Sequence, residues 1–364
     1  MSAALILLLV VLLVVLAFEY INGFHDTANA IATVVSTKVL TPRQAIILAA
    51  VFNLIGAFYG TAVAKTISVG IVDTTQVHMT TLVILCTMLS AIAWNLLTWW
   101  FGLPSSSSHA LIGALCGTAL AASGGKWGVL IWSKEKIDAK GVHSFEGIFH
   151  KVVLPMITSP VLGLVVGFLF MGLIFAIIRN WRPHTVNSVF GKLQIASAAY
   201  MGLGHGKADA QKTMGMIAVM LFTATQDHTL DGAPAWLGFL HTDSATNIAP
   251  WIKCACAGVM AAGTWAGGWR IIKTLGHKMV RMKPVHGFAA ETTAATILYV
   301  TSELGMPVST THTITTSIMG VGAAKRWNSV KWNVVERIVW AWIFTIPVSA
   351  GLAYVLYRAV GAVQ

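Results

Sequence analysis

The sequence predicts an all-α polytopic membrane protein of two inverted repeats, with broken helices, hairpin-like segments and about 10–12 membrane segments. Three observations carry this prediction. Apolar residues make up 56% of the 364-residue chain and charged residues only 10%, with a mean hydropathy of +0.74, unlike a soluble domain. Apolar runs long enough for a bilayer recur along the whole length. Two polar motifs set among those runs occur twice, in the same order.

The first apolar run, Ser2 to Phe18, leads through Glu19 into Asn22-Gly23-Phe24-His25-Asp26-Thr27-Ala28-Asn29-Ala30. It lacks a basic start and a small-x-small cleavage pattern, so it reads as a retained span. Asp26 then lies in or at the edge of the hydrocarbon, where a carboxylate is costly unless it faces a cavity or a partner. Gly23 and the small residues around it suggest a broken helix whose freed backbone groups bind ions. The plainer alternative is a polar loop at a helix end.

Lys38 and Arg43 mark a short basic turn, and a second span follows from about Ala45 to Lys65. The connector from Ser68 to Gln76 carries Asp73 and neither lysine nor arginine. A third span, Met79 to Phe101, stops at Gly102-Leu103-Pro104, followed by Ser105-Ser106-Ser107-Ser108-His109 and an apolar segment to Ala122. Residues 123–147 read as an exposed loop with several lysines. Ile148 to Ile178 closes the first half, 1–180, and 179–192 is the expected linker.

The second half, 190–364, opens with Leu193 to Leu203 and then Gly204-His205-Gly206-Lys207-Ala208-Asp209-Ala210-Gln211-Lys212. After an apolar stretch, the connector 225–247 holds Asp227, Asp231 and Asp243 with no lysine or arginine. A span over 248–272 leads to Lys273, Lys278, Arg281 and Lys283. Gly287 to Leu304, the run Pro307-Val308-Ser309-Thr310-Thr311-His312, and a span near Val334 to Tyr357 complete the chain.

The internal match is specific. Gly102-x-Pro104-x-Ser106-x-x-His109 aligns with Gly305-x-Pro307-x-Ser309-x-x-His312 at a shift of 203, with Ser107 and Ser108 opposite Thr310 and Thr311 and Gly117 opposite Gly320. Gly23-x-x-Asp26 aligns with Gly206-x-x-Asp209 at a shift of 183. Basic residues follow the first span but precede the second half, which makes the repeats inverted, with 225–247 outside and 273–283 inside. The loop 123–147 resists placement: a re-entrant 104–122 puts it inside, yet inversion then fails.

Composition excludes several classes. The net charge of +11 would suggest nucleic acid in a soluble protein, but here the basic residues cluster between apolar runs, as the positive-inside bias requires. Cys86, Cys116, Cys254 and Cys256 sit in apolar surroundings as buried small residues, and Cys254-x-Cys256 lacks the partners of a zinc site. No disulfide framework and no cofactor are expected.

Four hydroxyls after a proline can bond a tetrahedral oxyanion, helped by the N–H groups of a helix starting there. A single such run is more simply interhelical packing; two matched runs, each ending in His, point to a site. Asp26 and Asp209 would repel an anion unless a cation lies between or a proton is bound, so H⁺ or Na⁺ is the expected co-ion. Asn22, Asn29 and Gln211 offer amide groups, Lys207 and Lys212 can pair with Asp209 or contact the anion, and Glu291 and, less strongly, Glu19 are further carboxylates on an ion path. The expected substrate contacts are Ser106, Ser107, Ser108, Ser309, Thr310, Thr311, Gln211 and Lys207. The expected coupling-ion residues are Asp26, Asn22, Asn29, Asp209 and Glu291, with Na⁺ at Asp26, Asn29 and Asp209. Lys207, two residues from Asp209, is expected to pair with it and so to favour proton coupling.

Gly23 to Ala30, Gly204-His205-Gly206 through Lys212, and Pro307 to His312 resemble the inorganic phosphate transporter family of the bacterial low-affinity type. The likeness covers nearly the whole chain. It implies two inverted repeats, a phosphate site near the membrane centre, Na⁺ or H⁺ coupling, a homodimer in the cell (inner or plasma) membrane, and Glu291 at an acidic position of the family. Two departures stand out: Lys207-Ala208 replaces the usual small residue and Asn before the second Asp, and the first hydroxyl run is all serine. Rival readings are a sulfate symporter, a passive anion channel and a membrane hydrolase. The last lacks a Gly-x-Ser-x-Gly elbow or a His-Glu-x-x-His motif, and phosphate, unlike sulfate, can donate a hydrogen bond to a carboxylate at neutral pH.

Overall fold

The computed structural model describes residues 2–137 and 143–362. Helix α1, Ala3–Ser36, starts on Ser2, whose side chain accepts from the Leu5 N–H at 3.2 Å, and runs without interruption through Asp26. The broken helix expected at Asn22–Ala30 is therefore absent. Gly23 has another purpose: a Cβ there would lie 2.5 Å from the Met260 carbonyl oxygen, so the glycine lets a neighbouring helix approach. Helix α7, Pro183–Gln226, likewise passes straight through Asp209, and a Cβ on Gly206 would lie 2.1 Å from the Asn53 carbonyl oxygen. Both carboxylates project from the middle of unbroken helices.

The breaks fall elsewhere. The second span is split into α2, Pro42–Ala57, and α3, Ala62–Val69, bent by 70°. Helix α4, Thr81–Phe101, ends at Gly102, whose φ of +64° suits glycine, and the chain turns back into α5, Ser107–Ala122. After a two-stranded antiparallel hairpin, β1 (Lys134–Ile137) and β2 (His143–Glu146), a wide helical turn over Phe149–Val153 leads into α6, Leu154–Ile178. Helix α7 begins at Pro183, inside the expected linker 179–192, because proline fits the first turn of a helix. Helices α8, Pro250–Ala266, and α9, Trp269–Lys273, divide the span 248–272 at Gly267. Helix α10, Pro284–Glu303, turns at Gly305 (φ +64°, as at Gly102) into α11, Thr310–Lys325, and α12, Trp332–Gly361, completes the described chain.

Among the described residues, four helical stretches are long and apolar enough to cross a membrane, namely α1, α4, Phe149–Ile178 and α12, and the bent α2–α3 pair counts as a fifth if it is one span. Leu162, Val165, Phe168, Leu169, Leu173 and Ile177 of α6 are exposed, which in water would be an aggregation face and in lipid is a normal helix exterior. The chain is a multi-pass helical membrane protein.

The helices cross-pack in a reciprocal way. Helix α5 lies on α12, where Gly117 faces the Ala350 carbonyl, and α11 lies on α6, where Gly320 faces the Leu164 carbonyl. Similarly α2 packs on α7 and α8 on α1. One core cluster joins Leu5, Leu8 and Val11 to Val72, Val77, Leu130, Leu237 and Leu240; the other joins Ile31 and Val34 to Ala45, Ile271, Leu275 and Val335. The first cluster gathers the acidic connectors at one end. The loop 123–147 sits there too, since Asp73 N–H donates to the Val129 carbonyl at 2.9 Å and Ile131 N–H to the Ile71 carbonyl at 3.0 Å. Its residues 138–142 lie outside the described chain.

Candidate functional site

Four elements meet around the two aspartates. Helix α1 brings Asn22, His25, Asp26 and Asn29, and α7 brings His205, Asp209 and Lys212. The starts of α5 and α11 bring the hydroxyl runs, and Ser108 Oγ donates to the Val308 carbonyl at 3.4 Å. The His109 and His312 rings stand edge to face with centroids 4.8 Å apart, and His312 stacks on Trp342. Asp26 is 2% exposed and Asp209 0%, so the hydrogen bonds around them are made in a site closed to solvent.

The first residue of each short helix is set by its cap. Ser106 Oγ accepts from the His109 N–H at 3.2 Å, and Ser309 Oγ from the His312 N–H at 3.1 Å. These two expected substrate contacts are thus committed to holding the helix starts, a role worth about 1 kcal/mol each. The next hydroxyls face the carboxylates. Ser107 Oγ lies 2.6 Å from Asp26 Oδ2 and 2.7 Å from Asn22 Oδ1, donating to one at a time. Thr310 Oγ1 donates to Asp209 Oδ2 at 3.1 Å and Thr311 Oγ1 to Asp26 Oδ1 at 3.4 Å, so neighbouring residues of α11 reach both aspartates. Asn29 Nδ2 donates to both threonine hydroxyls, at 3.2 and 2.9 Å, while its Oδ1 is buried with no partner among the described residues.

Each aspartate also has a histidine. His25 Nδ1 lies 2.7 Å from Asp26 Oδ1, and its other nitrogen lies 3.2 Å from Thr98 Oγ1, which in turn accepts from Ser105. His205 Nε2 lies 3.0 Å from Asp209 Oδ2, within ion-pair distance but misaligned for a hydrogen bond, and its Nδ1 is 3.2 Å from Asn53 Oδ1. Ligand atoms of Asp26, His205 and Asp209 all lie within 4.8 Å of one another. The Lys212 ammonium donates to Asp209 Oδ1 and Ser108 Oγ, and reaches the Val308 carbonyl at 3.5 Å.

Three expected residues lie elsewhere. Lys207 does not pair with Asp209. On a helix, residues two apart diverge, and its ammonium instead donates to Glu303 and covers the Tyr299 ring at 3.7 Å. Lys212, three residues on, shares the Asp209 face. Gln211 Oε1 accepts from the Val63 N–H at 2.9 Å and its Nε2 donates to the Tyr59 carbonyl at 3.2 Å, so it ties down the α2–α3 bend. Glu291 forms a separate buried cluster, accepting from Thr33, from Ser197 and, at 3.2 Å, from Gln194. Glu19 accepts from Thr213 and, at 3.4 Å, from Asn22, one step from Ser107. The histidines and Asn53 were not among the expected site residues, although His205 and Asp209 are four apart and so share a helix face.

A carboxylate pair, opposed hydroxyl runs and a buried ammonium, all inside a helical shell with an apolar exterior, suit a membrane transport protein for a small polar ion. Residues 22–353 match the phosphate transporter family. The chain is 44% identical over 357 residues to a Bacillus subtilis (strain 168) protein named "Probable low-affinity inorganic phosphate transporter", covering 98% of both. It is 41% identical over 354 residues to a Rhizobium meliloti (strain 1021) protein of the same name, covering 97% of this chain and 96% of that one. A solved structure described as "The sodium-dependent phosphate transporter" shares the fold, with a TM-score of 0.81, 22% identity and coverage of 98% of this chain and 100% of that one. The chain belongs to the phosphate transporter family. It is a phosphate transporter of the cell membrane and not an enzyme.

Proposed function

We propose that the chain is a secondary active carrier importing inorganic phosphate with a co-transported cation, by alternating access of two inverted repeats, 1–180 and 190–364, with a homodimer as the expected assembly. The observation that carries this reading is the reach of Thr310 and Thr311 to Asp209 and Asp26 from one helix start, with Ser107 and Ser108 opposite. Hydroxyls now held by carboxylates can turn to an anion, and the carboxylates can then accept the hydrogen that phosphate carries and sulfate lacks. The helix starts add N–H groups and a favourable dipole. Asn29 Oδ1, a buried amide oxygen without a protein partner three residues from Asp26, favours Na⁺ as the co-ion, since carboxylate and amide oxygens together are ligands for a hard metal cation. Proton coupling is the second reading, favoured by His25 at 2.7 Å from Asp26.

Proteoliposomes given labelled phosphate, with sodium and pH gradients imposed separately, test this. Uptake should follow an inward sodium gradient at equal pH, and Thr310→Ala with Thr311→Ala should lower it at least tenfold. Uptake that ignores both gradients means a passive pore. A two-fold relation between the halves is supported by the reciprocal packing of α5 on α12 and of α11 on α6, and their inversion by the placement of the basic segments. Single cysteines near 235 should label only from outside and near 278 only from inside; labelling of both from one side defeats the topology.

A further inference from the structure

The 183-residue shift that places Asp209 opposite Asp26 places Lys212 opposite Asn29. The two halves thus present the same carboxylate with different third-residue partners. In the first, Asn29 leaves an oxygen bare next to Asp26. In the second, an ammonium lies among a carboxylate oxygen of Asp209, the Ser108 hydroxyl and the Val308 carbonyl. Carboxylate, hydroxyl and backbone carbonyl are the ligand types that hold hard metal cations, and Lys212 is buried at 2% exposure with no route for its charge into water.

We propose that the Lys212 ammonium stands in place of a metal cation, so that the Asp209 half carries a tethered cation and only the Asp26 half draws one from solution. This rests on the cation-coupled reading above and deepens it. The tethered charge neutralises Asp209 and offers the anion a fixed positive partner through Ser108, while the free co-ion serves Asp26. A protein with two exchangeable cation sites would need both filled before the anion binds; this one needs a single ion from solution.

Lys212→Asn gives the second half the first half's Asp-x-x-Asn pattern and should convert the tethered site into an exchangeable one. Radioactive sodium binding in lipid nanodiscs is the measurement. Lys212→Asn should bind one more Na⁺ per chain than the wild type, and Asp209→Asn added to it should remove that ion. Phosphate binding by the variant should fall at least tenfold without sodium and recover with it, whereas Lys212→Arg should keep the wild-type sodium count. If Lys212→Asn is not monodisperse, Lys212→Ser carries the same test. An unchanged sodium count in a folded variant overturns the proposal. Failure of the wild type to bind labelled phosphate would instead defeat the transport reading, and the sodium comparison would still stand.

Discussion

Asp26→Asn should lower cation-driven phosphate uptake by about a hundredfold or more. The carboxylate receives hydrogen bonds from Ser107 on α5 and Thr311 on α11 and pairs with His25. Hydrogen bonds to a charged group contribute about 1.5–3 kcal/mol each, so losing one outright and the charge from the other gives a factor of about ten or more, and loss of the charge that holds the co-ion supplies the rest. The amide keeps the size of the side chain but removes the charge that holds a co-ion and one acceptor oxygen. Initial rates at matched reconstitution, with phosphate counterflow as a second assay, measure the effect. A rate within threefold of the wild type would exclude Asp26 from coupling.

Gly320→Ala should destabilise the protein, with the melting temperature in detergent falling on the order of 5 °C. A Cβ at that position would lie 2.1 Å from the Leu164 carbonyl oxygen and 2.9 Å from the Phe168 nitrogen. Both are backbone atoms of α6 that cannot swing aside, so the helices must separate and lose contact along their length. Gly117→Ala, facing the Ala350 carbonyl at 2.1 Å, should behave alike, while Gly351→Ala, with open space around it, should melt as the wild type does. Equal melting of all three would show that these crossings yield easily.

The membrane class, the two hydroxyl runs and the two aspartates were legible because each leaves a mark in the sequence itself. Apolar runs mark spans, and Ser106 and Ser309 lie in matching Pro-x-Ser-x-x-His motifs. The continuity of α1 and α7 was not legible. Glycine reads equally as a break or as a contact, and only the partner helix carrying Met260 or Asn53 decides between them. The same holds for Lys207 and Lys212. Sequence distance favours the nearer lysine, but helical geometry puts the one three residues away on the Asp209 face and sends the other to Glu303. Gln211 looked like a ligand because amides can be ligands. Its actual partners are the backbone N–H groups of Val63 and Ala64, supplied by a bend that no local pattern announced.

The reciprocal seating of α5 on α12 and α11 on α6 has a consequence for synthesis. Until α12 has been inserted, the face of α5 bearing Gly113 and Gly117 lacks the helix it lies against. The serine run at the start of α5 is therefore seated in part by residues translated long after it. A chain cut before α12 should lose phosphate uptake through the loosened serine run of the first half, and a fragment ending at residue 180 should bind no phosphate.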